Sequence, residues 1–394
     1  MVYIVTKQPP QYHQMTLEEL LFSTDYVRTM LNPNLTNTRT DTVFRPSQQV
    51  ISRISVRELV AKLIDYNERV DALRSVSRKS LYSEFYIPKS SGGLRKIDAP
   101  LPDLMDALRS LKTMLETDFN PFGVMYHTSA FAYIRGRSTI DAVKRHQANE
   151  SKWYAKFDLS NFFGSTTLEF VMKMMSMIFP FSEVMRSDIG KKELEKALEL
   201  AFLDGGLPQG TPISPLITNI MMIPVDFQLS KDFRKFRGAG RTAKNESMPQ
   251  RFIYTRYADD FIISSRYEFA FRAIENHIRE VLASFDAPFT VKPEKTRYGS
   301  SAGANWNLGV MINADNQITV GYKRKREFKA MLTSYILDKQ RGVRWEKNDI
   351  QVLDGYRNYY RMVEKDTIDD IIRHLDEKFK SNVVKMIKED LKAA

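Results

Sequence analysis

Two adjacent acids inside an apolar stretch constrain this chain more than any other feature. Residues 252–264 read as two short strands rich in aromatic and β-branched side chains, and Asp259 and Asp260 fall where they meet. A carboxylate among apolar neighbours costs several kcal/mol unless it is paired, hydrogen-bonded or bound to a metal. Two neighbouring carboxylates at a hairpin tip resist ionising together without a cation, and magnesium accepts one or two carboxylates plus substrate phosphates. Side chains alternate faces along a strand, so one acid faces a ligand more directly; we assign that role to Asp259. A second buried strand, residues 154–159, carries Asp158, which would complete a site for two metal ions. Without those ions the same acids read as turn formers and a strand end.

Composition narrows the function classes. The 394 residues, 43% of them hydrophobic, suffice for a sizeable core in two or three structural units. The formal charge of +11 points to a polyanionic partner, and the basic residues are spread along the chain rather than gathered beside one amphipathic segment, which disfavours a membrane surface. The chain has no cysteine, which excludes disulfides, thiolate zinc sites and cysteine nucleophiles and fits a reducing compartment. Residues 1–16 lack the pattern of a secretion signal, and no apolar run approaches membrane-spanning length, so the expected location is the cytoplasm. His127 and His146 follow no metal-ligand spacing, and all five histidines are read as structural or surface residues.

Residues 1–49 are polar and irregular, with a Pro9-Pro10 pair, and read as an extension with little core of its own. Ser55 with Glu58 forms a capping box, after which Leu59, Val60, Leu63 and Ile64 recur at helical spacing. Two short strands around Gly92-Gly93 predict a hairpin with a basic rim, and Leu104, Leu108, Leu111 and Leu115 place a long helix after it. Beyond Gly321 the chain turns basic and helical.

These segments, taken in order, resemble the prokaryotic reverse transcriptases, the branch that holds retron, group II intron and phage-defence enzymes. Tyr257-Ala258-Asp259-Asp260 looks like the family's signature tetrad, Phe157-Asp158-Leu159 its first catalytic strand, and Leu207-Pro208-Gln209-Gly210 its template-facing loop. Lys89, Arg95, the segment Arg135-Gly136-Arg137, Lys295 and the turn Leu308-Gly309 also find counterparts. The resemblance implies catalysis at Asp158, Asp259, Asp260 and Lys295, with the three acids on two Mg2+ ions, Mn2+ being a substitute, and Lys295 protonating the leaving pyrophosphate. It implies deoxynucleotide binding by Lys89, Arg95, Gln209 and Phe163, whose ring would collide with a ribose 2′-hydroxyl. Arg135, Arg137, Gly210, Leu308 and Gly309 would face template and primer. Asp141-Ala142 with His146, and Leu308-Gly309-Val310, depart from the Asn-Ala…His and Val-Thr-Gly segments usual in retron enzymes.

The implied fold is α+β, a right hand with fingers over 51–152, an antiparallel-sheet palm over 153–318 interrupted by fingers elements near 204–223, and a helical thumb over 319–394, after an extension at 1–50. The implied activity is RNA-directed DNA synthesis from deoxynucleoside triphosphates in a retron-like or antiphage defence setting, on an RNA encoded nearby. A homo-oligomer or partner protein stays open. Two other functions stay open as well: template-independent or protein-primed synthesis at the same site, and a non-catalytic RNA-binding scaffold.

Overall fold

The computed structural model describes residues 55–89, 92–120, 125–235, 251–300 and 306–393, with the backbone of β1 (Val2–Tyr3) and β2 (Gln14–Met15). The polar extension otherwise lies outside the described residues.

Local signals decide where the first elements begin. The Ser55 hydroxyl accepts the Glu58 amide at 3.2 Å and starts α1 (Val56–Arg69), which buries Leu59 and Leu63. The expected hairpin is β3 (Tyr82–Pro88) paired with β4 (Leu94–Pro100), from Tyr82 opposite Pro100 to Pro88 opposite Leu94. Pro102 sets the first turn of α2 (Pro102–Thr117), whose Leu104, Leu108, Leu111 and Leu115 are all buried. A full capping box opens α3 (Thr139–Ala148): Ser138 Oγ accepts from the Asp141 amide and Asp141 Oδ2 accepts from Ser138 N at 2.9 Å.

The centre is an antiparallel sheet of four strands, β5 (Trp153–Asp158), β6 (Phe252–Tyr257), β7 (Asp260–Ser265) and β8 (Arg297–Ser300), in the order β6-β7-β5-β8. Alternation splits its faces. Ala155, Phe157, Phe261 and Ile263 enter a core that also takes side chains from α1 and α2 and runs from Leu59 to Val291. That core is completed by α4 (Phe162–Ser165), α5 (Leu168–Met175), α6 (Phe181–Val184), α7 (Asp188–Glu199), α8 (Ser214–Met221), α9 (Ile223–Lys235) and α10 (Phe271–Ser284). The opposite face offers Tyr154 and Ile262 to Ile140 and Val143 of α3 and to Val310 and Ile312.

Two of those residues belong to a small sheet of β9 (Trp306–Asn307), β10 (Val310–Ile312) and β11 (Ile318–Thr319). The last four helices, α11 (Tyr322–Gln340), α12 (Lys347–Val363), α13 (Lys365–Phe379) and α14 (Val383–Ala393), close on a separate core from Val320 to Ile387. Among the described residues, no helix is long and apolar enough to cross a membrane.

Candidate active site

Register brings the acids together. Asp158 ends β5 directly opposite Asp260, the first residue of β7, so both carboxylates stand on the face opposite the large core. Asp259 lies in the turn between Tyr257 and Asp260, where Ala258 takes a φ of 56°. The main chain beyond the acids is pinned: Leu159 N donates to Asp259 O at 3.0 Å and Lys292 N to Asp158 O at 2.8 Å.

Three lysines offset this charge. Lys156 Nζ lies 2.7 Å from Asp260 Oδ2, while Lys295 Nζ donates to Asp158 Oδ2 at 3.0 Å and Lys292 Nζ sits 3.5 Å from Asp158 Oδ1. Burial still pushes Asp259 above the usual carboxylate range, and Asp158 adds to that. Asp260 is pushed up to about 6, chiefly by burial and against the pull of Lys156. The bond to Asp158 raises Lys295 above its ordinary value, so its ammonium stays protonated at neutral pH.

The donor set suits a hard divalent cation. Asp158 Oδ1 and Asp260 Oδ1 are both buried without a hydrogen-bond partner, which is a costly state for a carboxylate oxygen. Among the described residues no three His, Asp or Glu side chains close into a ready cage. Magnesium seldom uses one; it sits on one or two carboxylates and takes the rest of its shell from water and phosphate.

Beneath the turn lies a network that sequence reading missed. Arg256 and Asp226, both wholly buried, pair through Nη2 and Oδ2 at 2.8 Å and Nε and Oδ1 at 2.9 Å. The same guanidinium donates from Nη1 to Asn219 Oδ1 at 3.1 Å and to Ala258 O at 3.2 Å, and so fixes the turn that carries Asp259. The signal was available in part, since Arg256 is a lone charge on the core-facing side of an apolar strand. Lys156 had a clearer one: it lies two residues before Asp158 and therefore on its face.

The remaining expected residues fall into three groups. Arg95 lies on the same hairpin face as Ile97, and Ile97 meets the template-facing loop: a Cβ on Gly210 would come 2.7 Å from Ile97 Cγ2 and 3.0 Å from Asp98 O, while Asp98 N donates to Gln209 O at 2.8 Å. Lys89 is exposed just past β3. Phe163 is half-buried edge-on to Phe162, and its carbonyl accepts from Leu207 N at 3.0 Å, which ties it to the loop of Gln209.

Leu308 and Gly309, with φ of 54° and 89°, form a tight turn against α11, where Arg324 Nη1 donates to Gly309 O. Arg135 is exposed, but Arg137, expected beside it at template phosphates, turns inward. Its Nη1 donates to His127 O at 2.7 Å and Ala130 O at 2.6 Å, so the guanidinium anchors its own loop. His146 is structural: buried and held neutral, it joins Ser264 at 2.6 Å to Thr255 at 2.8 Å.

The family model described as reverse transcriptase (RNA-dependent DNA polymerase) matches residues 87–333. The chain is 26% identical over 313 residues to the Retron Ec83 reverse transcriptase of Escherichia coli, covering 78% of this chain and 89% of that one. It is 25% identical over 284 residues to the Retron Ec73 reverse transcriptase of the same organism, covering 71% and 82%. Among solved structures it is similar to the telomerase from Candida albicans, with a TM-score of 0.44 and 13% identity over 82% of this chain; it spans 59% of that one. The Asp141 departure has a local cause, the capping box of α3. Since the family match takes in more than half of the chain and every site residue named above, the chain belongs to the reverse transcriptases, the RNA-directed DNA polymerases of right-hand fold, on their retron-like prokaryotic branch.

Proposed function

We propose that the chain extends a primer with deoxynucleotides on an RNA template by two-metal nucleotidyl transfer, with Asp158, Asp259 and Asp260 holding two Mg2+ ions. The observation that carries this is the pairing of Asp158 with Asp260 across β5 and β7, each with one buried oxygen that accepts no hydrogen bond, and Asp259 beside them on the turn. Magnesium, when bound, supplies an activated 3′-oxygen and neutralises the leaving pyrophosphate; manganese suits the same oxygen donors.

The side chains supply the rest. Arg95 and Lys89, exposed on the hairpin, hold the triphosphate. Lys295, protonated beside Asp158, gives its proton to the pyrophosphate as it leaves. The Phe163 ring lies under the sugar and excludes a ribose 2′-hydroxyl, while Gln209 and Gly210 border the nascent pair. Arg135 takes template phosphate, and Leu308 and Gly309 hold the primer end against the thumb.

The hand divides into fingers over 51–152, palm over 153–318 and thumb over 319–394. The template is a dedicated non-coding RNA of a retron-like or antiphage defence system in the cytoplasm. Sequencing the nucleic acid that co-purifies with the full chain tests this: one enriched RNA, extended into DNA when deoxynucleotides and Mg2+ are added, supports it. Purification free of any RNA, together with equal use of unrelated templates, would sink the dedicated-RNA reading while leaving polymerase activity standing.

A further inference from the structure

We propose that Tyr133 is a stacking platform for a nucleobase beside the catalytic turn. The clue is where the backbone is strained. Nine non-glycine residues take positive φ among the described residues. Six are Asn, Asp, Glu or Lys, polar residues of which Asn and Asp adopt it most readily. The other three are Ala258 on the catalytic turn, Leu308 on the turn expected to hold the primer, and Tyr133, at 60°.

For a bulky residue that conformation persists only where the surroundings impose it. They do so here. Arg256 N donates to Ser129 O at 2.6 Å and Phe131 N to Arg256 O at 2.9 Å, and Arg137 N caps the following turn on Ile134 O at 3.1 Å. Asn219 Nδ2 donates to Ala132 O at 2.7 Å, and the Oδ1 of the same amide accepts from Arg256, which also holds Ala258 O. One buried pair, Asn219 and Arg256, thus sets both the strained catalytic turn and the strained Tyr133.

Packing does not repay that strain, because Tyr133 is 55% exposed. Its surroundings are those of the reaction. Partial burial raises its hydroxyl above the ordinary range, the charges of Asp259 and Tyr257 add to this, and Arg95 opposes it, so the hydroxyl feels both the catalytic turn and the hairpin arginine. On the polymerase reading, an exposed ring on a backbone fixed beside the acids stacks on a base of any sequence. The base belongs either to the incoming nucleotide or to the template strand.

This rests on the polymerase reading, and the test separates the two. Tyr133→Phe, Tyr133→Asn and Tyr133→Gly are compared in the full chain by melting temperature, by deoxynucleotide KM and by primer–template Kd from fluorescence anisotropy. Asn and Gly suit positive φ, so both variants should melt no lower than wild type while losing about ten-fold in KM or in Kd, and Phe should keep both constants near wild type. A rise in KM assigns the base to the incoming nucleotide; a rise in Kd assigns it to the template. Wild-type constants in the Asn and Gly variants overturn the proposal, and so does a Phe variant as impaired as Asn, or a lowered melting temperature without loss of binding. Asp259→Ala in the same assays should abolish synthesis and spare Kd; if it keeps synthesising, the polymerase reading fails while the anisotropy arm still judges Tyr133.

Discussion

Replacing Asp260 by asparagine should stabilise the metal-free protein at alkaline pH while abolishing synthesis. An ordinary aspartate titrates near 3.8, and Asp260 is pushed up to about 6 because burial strips water from its carboxyl, with Lys156 opposing and Asp259 and Asp158 adding to the rise. The folded chain therefore binds the proton more tightly than the unfolded chain. Stability is whole below the unfolded value, falls as pH rises through that window, and stays reduced above the folded value. With each pH unit of difference worth about 1.4 kcal/mol, the full cost is about 3 kcal/mol, of which roughly half is incurred between pH 5 and pH 8.

Urea unfolding followed by circular dichroism at those two pH values measures it. Wild type should lose on the order of 1 kcal/mol relative to Asp260→Asn between them, and the variant should be the more stable at pH 8. Magnesium should then raise the stability of wild type more than that of the variant. Parallel pH profiles, or a variant less stable than wild type at pH 8, would refute the reasoning that Asp260 is held ionised at a cost.

Three other perturbations test separate parts of the site. Arg256→Met strips the partner from wholly buried Asp226 and should cost about 3–5 kcal/mol in equilibrium unfolding; a loss below about 1 kcal/mol would deny the pair its structural role. Gly210→Ala forces a Cβ against Ile97 Cγ2 and Asp98 O at a φ of 115°, so the deoxynucleotide KM should rise about ten-fold or more, with Ile97→Ala restoring part of it; an unchanged KM would separate this loop from the nucleotide. Lys295→Met should slow single-turnover incorporation by about 10²–10⁴ and flatten the alkaline limb of its pH profile, because the raised ammonium that donates the proton is gone; an unaltered limb would reassign the proton donor.

Much of the site was legible because acids in apolar strands need a reason to be there. Asp158, Asp259 and Asp260 announce themselves in this way, and the strands around them follow from aromatic and β-branched runs. The direct pairing of Asp158 with Asp260 was not legible, since register between strands far apart in sequence depends on the whole sheet. Arg256 was visible as a charge in a strand, but its partner Asp226 sits on a helix whose face only packing reveals.

Other residues have local structural roles that the resemblance did not bring out. Arg137 was expected at template phosphates from the resemblance alone, whereas its Nη1 donates to carbonyls of its own loop. Ser138 and Asp141 stand three residues apart, the spacing of a capping box, but Asp141 was weighed only as a departure from a family segment. Tyr133 carried no signal at all, because positive φ at a tyrosine is imposed by neighbours and has no compositional mark.

The most direct test of the central claim is primer extension on RNA templates of differing sequence by the purified full chain, with the products sequenced and with an Asp259→Ala Asp260→Ala variant run beside wild type. The account predicts Mg2+-dependent DNA complementary to each template, little use of ribonucleotides, and no product from the variant. Product whose sequence ignores the template, or synthesis that survives loss of both acids, would contradict it.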